Sequence, residues 1–145
     1  MEILFKDQFS LEQLPSLVDR IIAKNIVVPN RIVILGGELG AGKTTFTRVF
    51  FEKFGITNVT SPTYNLHNEF SIVWTDGQKI VLNHWDLYRC RELPEELLES
   101  VSTNCTYFTF IEWGDRFLSE FKSQDCILIN IEVIDQNNRK IIISG

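Results

Sequence analysis

No stretch of this chain approaches the roughly 18 consecutive apolar residues of a membrane span. The first residues, MEILFKDQFSLEQLP, contain no basic region followed by a continuous apolar one, so neither a span nor a secretory leader is expected. Cysteine is scarce: Cys90, Cys105 and Cys126 are odd in number and far apart. That spacing suits neither a disulfide framework nor the close pairs of a zinc site, and the expectation is ordinary thiols in a reducing cytoplasm. Basic charge is also short, with 14 Lys and Arg against 19 Asp and Glu for a net charge of −5. A chain so balanced lacks the footprint of a stand-alone nucleic-acid binder, so any RNA or DNA would be held by a partner. Repeats, linkers and low-complexity tracts are missing too. With 145 residues, 44% of them hydrophobic, there is enough chain for one core and too little for two.

What is present alternates in type. EILF reads as a short strand. From Ser10 to Lys24 the apolar residues Leu14, Leu17, Val18, Ile21 and Ile22 recur at helical spacing, and Pro15 predicts that the regular helix begins near Ser16 as N-cap. RIVIL has the short, β-branched character of a strand buried on both faces. KTTFTRVFFEKF predicts a helix ended by a left-handed Gly55. FSIVW and KIVLNHWDLY flank TDGQ and read as a hairpin. Pro94, Glu95 and Glu96 open a short helix, PEELLESV. YFTFIEW, CILINIEVI and RKIIIS complete the strands, the last two joined at DQNN. The predicted class is α/β: a mainly parallel sheet with antiparallel additions and helices on both faces, residues 1–145 forming one domain.

Between RIVIL and the KTTF helix stands GGELGAGKTT. Gly37, Gly42, Lys43 and Thr44 fit G-x-x-x-x-G-K-[ST] at the strand-to-helix junction where that pattern has mechanical meaning. Glycines let backbone N–H groups turn inward around an anion, and the helix N-terminus adds a partial charge of about +0.5. Lys43 can reach the β- and γ-phosphates of a nucleotide, and the Thr44 hydroxyl can ligate Mg²⁺.

Two carboxylates are expected beside this loop. Asp86 ends KIVLNHWD and Glu112 ends YFTFIE, at the carboxyl ends of strands where ligands of parallel α/β sheets gather. Either can orient a water. SPTY, residues 61–64, follows the loop helix; Pro62 stiffens it, and the Thr63 hydroxyl suits a segment that senses a γ-phosphate. His84 lies in the same strand as Asp86, and a lone histidine there is more often a core or hydrogen-bonding residue than a catalyst.

GELGAGKTT, SPTY, HWDLYR and IEW, in this order and spacing, closely resemble the TsaE (YjeE) family, small bacterial P-loop ATPases needed for the threonylcarbamoyladenosine modification of tRNA. The resemblance runs from about Ser16 to Arg139. It implies a P-loop NTPase-type fold, with ATP and Mg²⁺ as cofactors. Its phosphate cradle would be Gly37, Glu38, Leu39, Gly40, Ala41, Gly42, Lys43, Thr44 and Thr45, with Mg²⁺ on Thr44 and Glu112. It further implies Asp86 as the catalytic acid, acting with Lys43, Thr63 as the switch threonine, and Trp113 close to the nucleotide. Looser alignment points to Gln13, Ser16 and Arg139 for the adenine. The implied partners are a threonylcarbamoyl transferase metalloprotein and its non-catalytic paralogue, with tRNA met through them. Where the family usually has proline after the tryptophan, this chain has Gly114.

Three other readings are open to a phosphate-loop chain. A guanine-nucleotide switch reads its base with N-K-x-D, and neither NKxD nor TKxD occurs here. A small-molecule kinase needs an acceptor pocket and usually arginine-bearing lids, whereas the seven arginines are scattered, with Arg89 and Arg91 the one close pair. A non-hydrolytic ATP-gated scaffold is separated from a slow ATPase only by turnover.

Overall fold

The computed structural model describes residues 1–60, 62, 65–73, 76–99, 106–121 and 124–145, and of 98 and 99 the backbone only. Seven strands form one mixed sheet: β1 (Ile3–Ser10), β2 (Ile32–Gly36), β3 (His67–Val73), β4 (Lys79–Asp86), β5 (Thr106–Glu112), β6 (Cys126–Val133) and β7 (Asn138–Ser144), in the order β1-β7-β6-β2-β5-β4-β3. The expected predominance of parallel pairing holds only at the centre. Strands β6, β2, β5 and β4 run parallel, while β7 and β1 at one side and β3 at the other are antiparallel. The hairpin predicted around TDGQ is β3–β4, with Val73 opposite Lys79, and the one at DQNN is β6–β7, with Val133 opposite Arg139.

Strand β2 is buried along its whole length, as a central parallel strand should be. Its side chains serve two cores. Val33 and Leu35 face helices α1 (Leu14–Ala23) and α2 (Lys43–Glu52), with Leu17, Val18, Ile21, Phe46, Phe50 and Phe51. Ile32 and Ile34 face the other way, towards Trp85, Ile111, Phe117 and Phe121. The second face is covered by the short helix α3 (Glu95–Glu99), through Leu97, and by a 3₁₀ helix, Gly114–Phe121. Among the described residues, Phe50 sits within 4.8–6.3 Å, ring centroid to centroid, of Phe51, Phe54, Phe108 and Phe110. Burying each such ring contributes about 1.5–3 kcal/mol, which fixes α2 against the sheet.

Two local expectations need correction, and one element is additional to them. Strand β1 is longer than EILF, because β7 pairs with it from Ile3 to Ser10. Its inward alternation, Phe5, Asp7, Phe9, is interrupted by a charge, and that charge is met by Arg20 of α1 at 2.5 Å, which holds the Asp7 carboxyl below its ordinary pKa. Helix α1 begins at Leu14, not Ser16. Pro15 is tolerated in the first turn, and a 3₁₀ turn, Leu11–Gln13, leads in, with the Gln13 side chain accepting the Ser10 N–H at 2.9 Å. The 3₁₀ helix at Gly114–Phe121 has no counterpart among the predicted elements, although Phe117 and Phe121 recur four residues apart. The end of α2 follows expectation: Gly55 has φ 84°, its N–H reaches Glu52 O at 3.0 Å and the Ile56 N–H reaches Phe51 O at 3.2 Å, a Schellman closure.

No helix among the described residues is long and apolar enough to cross a membrane. Burial pushes the Cys90 and Cys126 thiols above their ordinary pKa, which keeps them protonated; Cys105 lies outside the described residues.

Candidate functional site

Three parallel strands end at one level. Leu35 of β2 lies opposite Glu112 of β5, and Glu112 lies opposite Asp86 of β4. The chain leaves β2 for β4 and β5 on one side, while β6 adds to its other side. Such a reversal of strand order opens a crevice at the carboxyl ends.

The link from β2 to α2 fills this crevice, and its shape depends on glycine. Gly37 has φ +134°, and a Cβ there would stand 2.4 Å from the Ile131 carbonyl oxygen. No side chain fits. Gly42, at φ +113°, is the left-handed residue immediately before α2. The first N–H groups of that helix have no partners within it, so they and the helix dipole present positive potential to the crevice.

Lys43 is nearly buried at 4% exposure. Its Nζ donates to Gly37 O at 2.6 Å and Glu38 O at 3.0 Å, and lies 3.8 Å from the centroid of the Trp113 ring, a cation–π contact. Burial pushes its pKa below the ordinary value, and the charges of Glu112, Asp115, Asp86 and Glu38 pull it back up. Thr44 Oγ1 lies 2.9 Å from both Glu112 oxygens, to which its hydroxyl donates. His84 Nε2 lies 2.5 Å from Glu112 Oε2. A buried carboxylate needs such donors. Asp86, also buried, accepts the Tyr88 N–H on Oδ1 at 3.0 Å.

Around these groups is a cleft of about 330 Å³ lined by Leu39, Gly40, Gly42, Lys43, Thr44, Thr45, Asp86, Tyr88, Arg89, Glu112 and Trp113. The hydroxyl and two carboxylates at its floor are hard oxygen donors of the kind Mg²⁺ takes, one or two carboxylates with the remaining positions left to water and phosphate. The residues present therefore fit that ion.

The model of the family described as "Threonylcarbamoyl adenosine biosynthesis protein TsaE" matches residues 10–141. The chain belongs to the TsaE family. A Haemophilus influenzae protein named tRNA threonylcarbamoyladenosine biosynthesis protein TsaE is 37% identical over 134 residues, 89% of this chain and 80% of that one. A Rickettsia felis protein of the same name is 36% identical over 118 residues, 77% of this chain; the match spans 63% of the relative, less than two thirds of its length. Among solved structures, Bacillus subtilis YdiB is similar at a TM-score of 0.68 and 26% identity, over 99% of this chain and 88% of that one.

Of the residues that the TsaE resemblance brings forward, Lys43, Thr44, Thr45, Asp86, Glu112 and Trp113 line the same cleft with Leu39, Gly40 and Gly42. Thr63, with Ser61 and Tyr64, lies outside the described residues. Gln13 and Ser16 do not line the cleft: Gln13 caps the backbone at Ser10, and Ser16 is exposed on α1. Arg139 does not line the cleft either; it holds the glycine loop, its Nε donating to Ala41 O at 3.0 Å and its Nη1 to Asp135 O at 2.8 Å.

Sequence reasoning missed Arg116. From the 3₁₀ helix its Nη2 donates to the carbonyls of Leu87, Tyr88 and Cys90, so one guanidinium clamps the segment that follows Asp86. Tyr88 in that segment packs on Trp113, with centroids 5.0 Å apart. Trp113 itself turns the chain out of β5 at φ 62°. Neither role has a sequence signal beyond the residue types, because both depend on how two distant segments meet.

Proposed function

We propose that this TsaE-family chain is a P-loop NTPase-type, Mg²⁺-dependent ATPase that turns over slowly alone. It would support threonylcarbamoyladenosine formation in tRNA together with the transferase metalloprotein and its non-catalytic paralogue, in the cytoplasm. The observation that carries the reading is the continuous set Lys43, Thr44, Glu112 and Asp86 across the ends of β2, β5 and β4. The names of the relatives support the pathway.

In this reading the phosphates lie along Gly37–Thr45, where backbone N–H groups and α2 favour negative charge. Lys43 leaves the Gly37 and Glu38 carbonyls to pair with the β- and γ-oxygens. Thr44 and Glu112 would hold Mg²⁺, which when bound would offset charge on those oxygens. Glu112 already serves Thr44 and His84, so Asp86 is the carboxylate assigned to orient the attacking water. Trp113 borders the nucleotide. The base is assigned to the side of the loop where the Leu11–Gln13 turn and β7 lie, with Gln13, Ser16 and Arg139 as contacts, and Thr63 is assigned the γ-phosphate sensor.

ATP is expected to displace a fluorescent ATP analogue far more effectively than GTP, since no N-K-x-D segment is present to read guanine. A clear preference for GTP removes the adenine assignment and restores the switch reading.

A further inference from the structure

His84 is assigned no role in the reading above, yet it is one of the most enclosed polar residues in the molecule. It is fully buried, on the face of β4 that packs under α2, with its ring 6.3 Å from that of Phe51 and nearly perpendicular to it. In the β4–β5 register it stands opposite Phe110, one diagonal step from Glu112, and from there its Nε2 reaches Glu112 Oε2 at 2.5 Å. The other ring nitrogen, Nδ1, is buried and has no hydrogen-bond partner among the described residues. With Glu112 as a carboxylate, which only accepts, Nε2–H is assigned as the donor. A histidine serving the core alone would be expected to satisfy both nitrogens or give way to an apolar residue. This one is committed at a single atom, to the carboxylate that also accepts from Thr44.

We propose that His84 is a positioning residue: its Nε2–H fixes the Glu112 carboxylate, so that Glu112 and the Thr44 hydroxyl keep the orientation in which both face a hard divalent cation accompanying the nucleotide. The inference rests on the Mg²⁺-nucleotide reading above. Thr44 sits in the first turn of α2 and Glu112 at the end of β5, and the Phe46, Phe50, Phe51 and Phe110 packing holds those elements. Packing does not set the carboxylate's rotation. The imidazole does, as outer hydrogen-bond partners commonly do for metal-ligating groups.

The test compares two amides of different reach. In His84→Gln the amide nitrogen falls near the position of Nε2, whereas in His84→Asn it falls near Nδ1. The dissociation constant of a fluorescent ATP analogue is measured with MgCl₂ and with EDTA, for the parent and both variants, alongside the thermal midpoint. His84→Asn is expected to lose about 10- to 100-fold of the affinity gained from Mg²⁺, with Mg²⁺-free binding near the parent's. His84→Gln is expected to keep most of that gain. If His84→Asn keeps the full gain, or loses binding equally with and without Mg²⁺, the positioning role is overturned and His84 is structural. A parent that binds no nucleotide, or gains nothing from Mg²⁺, overturns the underlying reading and this role with it.

Discussion

Added to the transferase metalloprotein and its paralogue, the chain is expected to hydrolyse ATP about 10³ to 10⁵ times faster than alone, the range an arginine supplied in trans provides. The expectation rests on where its own arginines are. Arg20 pairs with Asp7 and Arg31 with Asp125. Arg116 is clamped on three carbonyls and Arg139 on the carbonyls of Ala41, Asp135 and Asn138. Of the seven, Arg89 alone lines the cleft, exposed at its rim. In the proposed reaction Lys43 and Mg²⁺ would offset charge on the transferring phosphoryl group only in part. Phosphate release measured with and without the partners, for the parent and Arg89→Ala, separates a partner's arginine from one acting in cis. If Arg89 acts in cis, Arg89→Ala slows the lone chain as well as the complex. Rapid turnover by the lone chain, unchanged by partners, argues for a self-sufficient kinase or hydrolase.

Asp86→Ala is expected to lower turnover about 10² to 10⁴-fold, the contribution of a positioned general base, in the lone chain and in the complex alike. Binding of Mg·ATP should change little, because the phosphates are assigned to the loop. Glu112→Gln provides the contrast: it removes a charge from the assigned metal donors, so its deficit appears first in the Mg²⁺ requirement. An Asp86→Ala chain that hydrolyses ATP like the parent transfers the water-orienting role to another group.

Much of the site was legible because it is local in sequence. A glycine loop between a buried strand and a helix carries its geometry in ten consecutive residues, and Gly37 shows why the pattern tolerates no substitute there. Asp86 and Glu112 were legible for a weaker reason: each ends a strand, and parallel strands bring their ends together. Their pairing in register is a property of the sheet. What could not be read was side-chain commitment across long sequence gaps. Arg116 and the carbonyls of 87, 88 and 90 meet only because the 3₁₀ helix packs back over the end of β4. Arg139 holds Ala41 from 98 residues away. The start of α1 differs from expectation because Pro15 signals a boundary in sequence, whereas a 3₁₀ turn with Gln13 as cap carries the helix in from Ser10.

Gly37–Thr45 with Lys43 is proposed to bind the phosphates of a nucleotide. Lys43 is the group to test, since its ammonium rests on the loop's own carbonyls at 2.6 and 3.0 Å and would exchange them for phosphate oxygens. Calorimetric titration of Mg·ATP into the parent and into Lys43→Ala, with circular dichroism to show that both are folded, measures this directly. The parent is expected to bind, and the variant to lose about 1.5–3 kcal/mol, the value of a hydrogen bond to a charged group, or roughly 10- to 150-fold in Kd. A folded Lys43→Ala chain that binds Mg·ATP as tightly as the parent would contradict it.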